Sequence, residues 1–193
     1  MILDEIEKVF QQNQNSRIAL FIRHAERDNG EYSLITKNGV ATSEVFGAKI
    51  KKLNIPTKIY SSPELRCVQT AKIINNIASN MENEIILTNK LGNPGMQILD
   101  INKYQKLYAE FNFIYKDIYR KWKIGKYWDA LRRPDDLKKI AESFIGSKTG
   151  KQGITLFVSQ SGTMVNMAHS LNIAEYDENN QWIDYLDGFF IQL

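Results

Sequence analysis

The chain has one cysteine and two histidines among its 193 residues, and it has no long apolar run. Each scarcity removes a class of protein. Cys67 has no partner for an internal disulfide, which fits a reducing cytoplasm. His24, His169 and Cys67 are too few to suggest a zinc site, and the expectation is that no metal or cofactor is needed. No stretch approaches the roughly 18 consecutive apolar residues of a membrane span. Met1 to Gln12 carries Asp4, Glu5, Glu7 and Lys8, and it reads as an amphipathic helix and not as a signal peptide. A net charge of +3 is too small and dispersed to argue for nucleic acid, although it suits a small anionic ligand. The length is that of one globular domain, 1–193, with enough material for a full core.

Glycine fingerprints are missing too. Gly146-Ser147-Lys148-Thr149-Gly150-Lys151-Gln152 has three residues, not four, between its glycines, lacks Ser or Thr after Lys151, and precedes a strand instead of following one. It therefore reads as a flexible loop and not as a phosphate-binding loop. Ile73 stands six positions after Cys67, where a cysteine-phosphatase loop needs an arginine. There is no dinucleotide-binding fingerprint and no internal repeat.

What is present concentrates at two strand ends. Ile18, Ala19, Leu20, Phe21 and Ile22 form the short continuous apolar run of a strand covered on both faces, and Arg23-His24-Ala25-Glu26-Arg27 follows directly. Ligands of open α/β sheets bind just beyond such strand ends. Lys58 to Ser61 reads as a second strand, with Ser62 as N-cap and Pro63 as first residue of a helix running to Ala78. Arg66 then falls in the first helical turn, where free N–H groups and the helix dipole favour an anion.

These residue types suit one chemistry. The phosphorus of a monoester is shielded by negative oxygens, so its nucleophile must be neutral and the oxygens must be held by fixed positive donors. Neutral His24 would attack in line and form a phosphohistidine that water then hydrolyses. Arg23, Arg27 and Arg66 would hold the oxygens, since a planar guanidinium donates two parallel hydrogen bonds to phosphate.

Arg23, His24 and Arg27, with Ser61-Ser62-Pro63 through Arg66 to Gln69-Thr70-Ala71, resemble the two phosphate-binding segments of the histidine phosphatase superfamily, which has the phosphoglycerate-mutase-like fold. Leu34-Ile35-Thr36-Lys37-Asn38-Gly39 resembles the Leu-Thr-x-x-Gly turn that opens the first helix there. The match covers roughly residues 18 to 75, with a weaker one around Leu156 to Thr163. The resemblance implies a second histidine after the strand Ile154 to Val158, often followed by an acid that protonates the leaving oxygen. Here Gln160 takes the histidine position and Ser161 the acid position. Gln160 can still donate to a phosphate oxygen, but a serine hydroxyl cannot protonate an alkoxide at neutral pH. Glu26, Asp28, Glu64, Glu82, Glu84 and Asp100 are the carboxylates that could substitute. His169 lies nine positions beyond Gln160 and reads as a partly buried helix residue.

Two classes follow. One is a phosphomonoester hydrolase with an atypical or impaired proton donor; the other is a catalytically inactive protein that binds a small phosphorylated molecule or phosphate. The fold implied is three-layered α/β, a mostly parallel central sheet flanked by helices, with a helical cap inserted at roughly 95–150. Asn38 to Leu53 reads as the first crossover helix, Glu84 to Thr88 as a strand, and Asp187 to Leu193 as the terminal strand. Ile101, Tyr104, Tyr108, Phe111, Tyr115, Ile118 and Trp122 recur at three- and four-residue steps, which predicts one long helix. Its aromatic stripe serves either core packing or a lid over the pocket. Leu91 to Gly95 is the loop leading into it, and Asp129 to Asp136 a solvated connection whose arginines could meet a second anion.

Overall fold

A computed structural model describes residues 2–28, 33–78, 84–176 and 182–193. Strands β1 (Arg17–Arg23), β2 (Thr57–Ser61), β3 (Ile86–Leu87), β4 (Gly153–Ser159) and β5 (Gly188–Gln192) form one sheet in the order β3-β2-β4-β1-β5. The pairs β1–β4, β2–β4 and β2–β3 are parallel, and β5 closes the β1 edge antiparallel. Parallel neighbours need long crossovers, and helices supply them: α2 (Lys37–Leu53) between β1 and β2, α3 (Leu65–Ala78) between β2 and β3, and α4 (Ile101–Glu110), α5 (Tyr115–Lys123) and α6 (Pro134–Lys148) between β3 and β4, while α1 (Ile2–Gln12) precedes β1 and α7 (Ser161–Ser170) leads to β5.

The apolar run of β1 is buried on both faces, and the two-residue period of a strand divides it between two cores. Ile18, Leu20 and Ile22 join Ile59, Leu156 and Val158 under α1, α2 and α3. Ala19 and Phe21 turn the other way, towards α5, α6 and α7, with Tyr60, Phe157 and Phe189 beside them. On that face Phe157 stacks on Phe21 with ring centroids 4.5 Å apart, and Phe21 on Phe189 at 5.1 Å. The result is the expected three-layer arrangement.

Four local expectations need correction. The stripe from Ile101 to Trp122 is two helices, because Asn112 and Phe113 take left-handed backbone angles (φ 48 and 63) and turn the chain between α4 and α5. The second crossover helix begins at Leu65, two residues after Pro63, although Ser62 Oγ does accept the Glu64 N–H at 3.2 Å. The strand predicted over Glu84–Thr88 pairs only at Ile86 and Leu87. Gly146, Ser147 and Lys148 are the last residues of α6 and not part of a loop. Met1 and Glu82 lie outside the described residues. Among the described residues, no helix is long and apolar enough to cross a membrane.

Candidate active site

The parallel strands β1, β2 and β4 all end on one side of the sheet, and their next residues meet there. His24 follows β1, and its backbone N–H donates to the Ser159 carbonyl at the end of β4 (2.9 Å). Ser62 follows β2 and donates to the Val158 carbonyl (3.0 Å). Gln160 follows β4 and precedes α7. The motif residues Thr36, Gly39 and Thr70 brace this junction. Thr36 caps α2 by accepting the Gly39 N–H, and its own N–H donates to the Glu26 carbonyl. A β-carbon at Gly39 would stand 2.3 Å from that carbonyl oxygen, so the helix can approach the loop only with glycine there. Thr70 Oγ1 accepts the Ala25 N–H at 3.0 Å and donates to the Arg66 carbonyl at 2.8 Å, which ties the histidine loop to α3.

The His24 ring is almost fully buried, and its two nitrogens have different partners. Nδ1 lies 2.8 Å from the Ala25 carbonyl, which can only accept, so the proton sits on Nδ1. Nε2 is then a bare lone pair, and it accepts from Arg66 Nε–H at 3.2 Å. Burial pushes the imidazole from its ordinary value near 6.5 down to about 3. The Ala25 bond opposes the shift, and the charges of Arg66, Arg23 and Arg27 add to it. His24 is therefore a neutral base at neutral pH.

Arg66 is the hub of the pocket. Besides His24 it reaches Glu64 Oε2 through Nη1 (3.0 Å) and Gln160 Oε1 through Nη2 (2.6 Å). Arg23 donates to the Ile183 carbonyl (2.8 Å) and lies 4.0 Å over the Tyr185 ring, while its buried Nε has no partner among the described residues. Burial lowers the proton affinity of Arg23, offset by Tyr185 and Asp184. Arg27 donates to the Asp28 carbonyl and to Ser33 Oγ at the pocket rim.

Arg23, His24, Arg27, Glu64, Arg66, Gln160 and Ser161 line one cavity of about 320 Å³. The other sequence candidates lie elsewhere. Glu26 accepts from Thr36 Oγ1 and Asn38 Nδ2 at the start of α2, and Asp100 caps α4 by accepting from the N–H groups of Asn102 and Lys103. Asp28 and Glu84 do not line the cavity. His169 stacks edge-on against Trp122 and faces Glu175 at 3.6 Å, outside it. Arg132 and Arg133 line a separate surface cavity with Trp128 and Lys139.

The aromatic stripe divides between its two expected uses. Ile118 and Trp122 are buried in the core, whereas Tyr104, Tyr108 and Tyr115 wall the His24 cavity. Sequence reading missed Asn93, Gln97, Gln105 and Thr163, which also line it. Gln97 is 3% exposed and its Oε1 has no partner among the described residues; Tyr115 Oη donates to Asn166 Oδ1 at 2.8 Å behind it. Isolated polar residues of this kind leave no periodic signal in a sequence. Gly92, at φ +144, passes over Gln160 so closely that a β-carbon would stand 2.3 Å from the amide nitrogen.

Residues 19–145 match the family model of the histidine phosphatase superfamily, branch 1. No curated protein matches the sequence. Among solved structures, a mycobacterial glucosyl-3-phosphoglycerate phosphatase superposes with a TM-score of 0.54 at 12% identity, over 81% of this chain and 79% of its own. The phosphoserine phosphatase of Entamoeba histolytica, solved as a histidine-to-alanine mutant with phosphoserine, superposes at 0.52 with 18% identity, over 82% and 81% of the two chains. At these identities the likeness is one of fold.

Proposed function

Because this chain belongs to the histidine phosphatase superfamily, branch 1, we propose that it is a phosphomonoester hydrolase working through a phosphohistidine at His24. The observation that carries the reading is the state of His24: neutral, with Nδ1–H fixed on the Ala25 carbonyl and the Nε2 lone pair turned to Arg66 in the pocket. A neutral lone pair beside three guanidinium groups is what in-line attack on a phosphate monoester needs. The Nε of Arg23, without a partner among the described residues, is a donor that an anion would satisfy. Arg23, Arg27 and Arg66 hold the phosphoryl oxygens by charge-assisted hydrogen bonds. Gln160, which accepts from Arg66, keeps that guanidinium facing the nucleophile. A cavity of about 320 Å³ suits a small phosphorylated metabolite.

The second reading is a phosphoester-binding protein without turnover, and Gln160-Ser161 in place of a histidine and an acid is what favours it. Soaking with tungstate and assaying His24→Ala separate the two. The hydrolase reading expects the anion between His24, Arg23, Arg27 and Arg66, and loss of turnover with retained anion binding in the variant. An empty pocket, or undiminished turnover in His24→Ala, would move the chemistry to another place.

A further inference from the structure

Splitting a phosphate ester of an ordinary alcohol requires a proton for the departing oxygen, and Ser161 cannot deliver one at neutral pH. Among the described residues that line the His24 cavity, Glu64 is the one carboxylate. Its backbone is held at both ends: its N–H donates to Ser62 Oγ, and its carbonyl accepts from the N–H groups of Cys67 and Val68 at the start of α3. Its side chain is 27% exposed, so water can exchange protons with it, and it meets Arg66 Nη1 at 3.0 Å. The same guanidinium reaches His24 Nε2 through its Nε. One planar group therefore spans nucleophile and carboxylate, and an ester whose phosphoryl oxygens take over Arg66 lies within reach of both.

We propose that Glu64 is the acid–base residue of the reaction, an inference that rests on the phosphohistidine reading above. A dianion arriving at Arg66 displaces the carboxylate from its ion pair, and the reaction takes Glu64 as the carboxylic acid. The His24 Nε2 lone pair then forms the P–N bond as the P–O bond breaks. The electron pair goes to the leaving oxygen, which takes the Glu64 proton and departs as a neutral alcohol. In the second half, the Glu64 carboxylate removes a proton from water as that water attacks phosphorus. The P–N bond breaks, its electrons return to Nε2, phosphate leaves, and Glu64 is protonated again. No other reactant is needed. The same residue serves both halves, as acid and then as base.

The competing role is purely positional: Glu64 would only hold Arg66. Glu64→Gln tells them apart, because the amide oxygen still accepts from Arg66 but carries no transferable proton. Nitrophenolate leaves without a proton, whereas a glyceryl or ethyl alkoxide does not. The ratio of glycerol phosphate to nitrophenyl phosphate turnover should therefore fall by about 10²–10³-fold in the variant. The slope of log rate against leaving-group pKa should steepen. An equal fall for both esters makes Glu64 a positioning residue and overturns the proposal. So does a wild type that hydrolyses nitrophenyl phosphate through His24 but leaves glycerol phosphate untouched. Turnover that survives His24→Ala, or no turnover of any ester, instead removes the phosphohistidine reading and the proposal with it.

Discussion

Acidification should destabilise this protein through the residue proposed to do its chemistry. Burial, with help from three arginines, pushes folded His24 from 6.5 down to about 3. In the unfolded chain the ring takes a proton near 6.5, whereas in the folded chain it stays neutral until about pH 3. Between those values the unfolded state binds more protons, so stability falls with falling pH. The contribution is whole above the unfolded value and is lost progressively towards the folded one. At pH 4 the loss from this group is about 3 kcal/mol, which for a chain of this length lowers the Tm by roughly 6–12 °C. The control is His24→Asn, which keeps an N–H for the Ala25 carbonyl but has nothing to titrate. Urea or thermal unfolding of both proteins at pH 7, 6, 5 and 4 gives the difference directly. The wild type should converge on, or cross below, the variant as the pH falls. Parallel curves would mean that His24 takes up its proton at the same pH in the folded and the unfolded chain, and the argument for a nucleophile held neutral by the fold would fail. The kinetic counterpart is that kcat/KM, corrected for ionisation of the substrate, should show no acid limb from His24 between pH 7 and 5.

Two further substitutions probe the scaffold. Thr70→Val removes the acceptor of the Ala25 N–H and strands that donor in the interior, which should cost about 1–3 kcal/mol in urea unfolding and loosen the His24 loop. Gly92→Ala places a β-carbon 2.3 Å from the Gln160 amide nitrogen at a backbone angle that L residues rarely adopt. It should destabilise the fold by about 1–3 kcal/mol and weaken inhibition by inorganic phosphate as Gln160 is pushed off Arg66.

Much of this molecule was legible from the order of its residues. A five-residue apolar run can be buried on both faces only in a covered sheet, and His24 and Arg66 at strand and helix ends follow from chain adjacency alone. Local signals at Thr36, Gly39 and Thr70 belong to the same class, since each acts on a backbone group whose place a short motif dictates. Periodicity failed where two helices share one stripe: the positions of Tyr108 and Tyr115 continue the helical count across Asn112 and Phe113, and the break comes from two backbone angles that leave the spacing unchanged. Only the tertiary structure sorted the carboxylates. Glu26, Glu64 and Asp100 are equivalent as letters, but Glu26 and Asp100 are held at helix starts while Glu64 stands against Arg66. It also chose the tautomer of His24, brought Gln97 to the pocket from a segment with no motif, and decided which residues of the aromatic stripe, Tyr115 among them, wall the pocket. Such choices depend on which groups face one another across the sheet ends, and facing is a property of packing that neither spacing nor composition encodes.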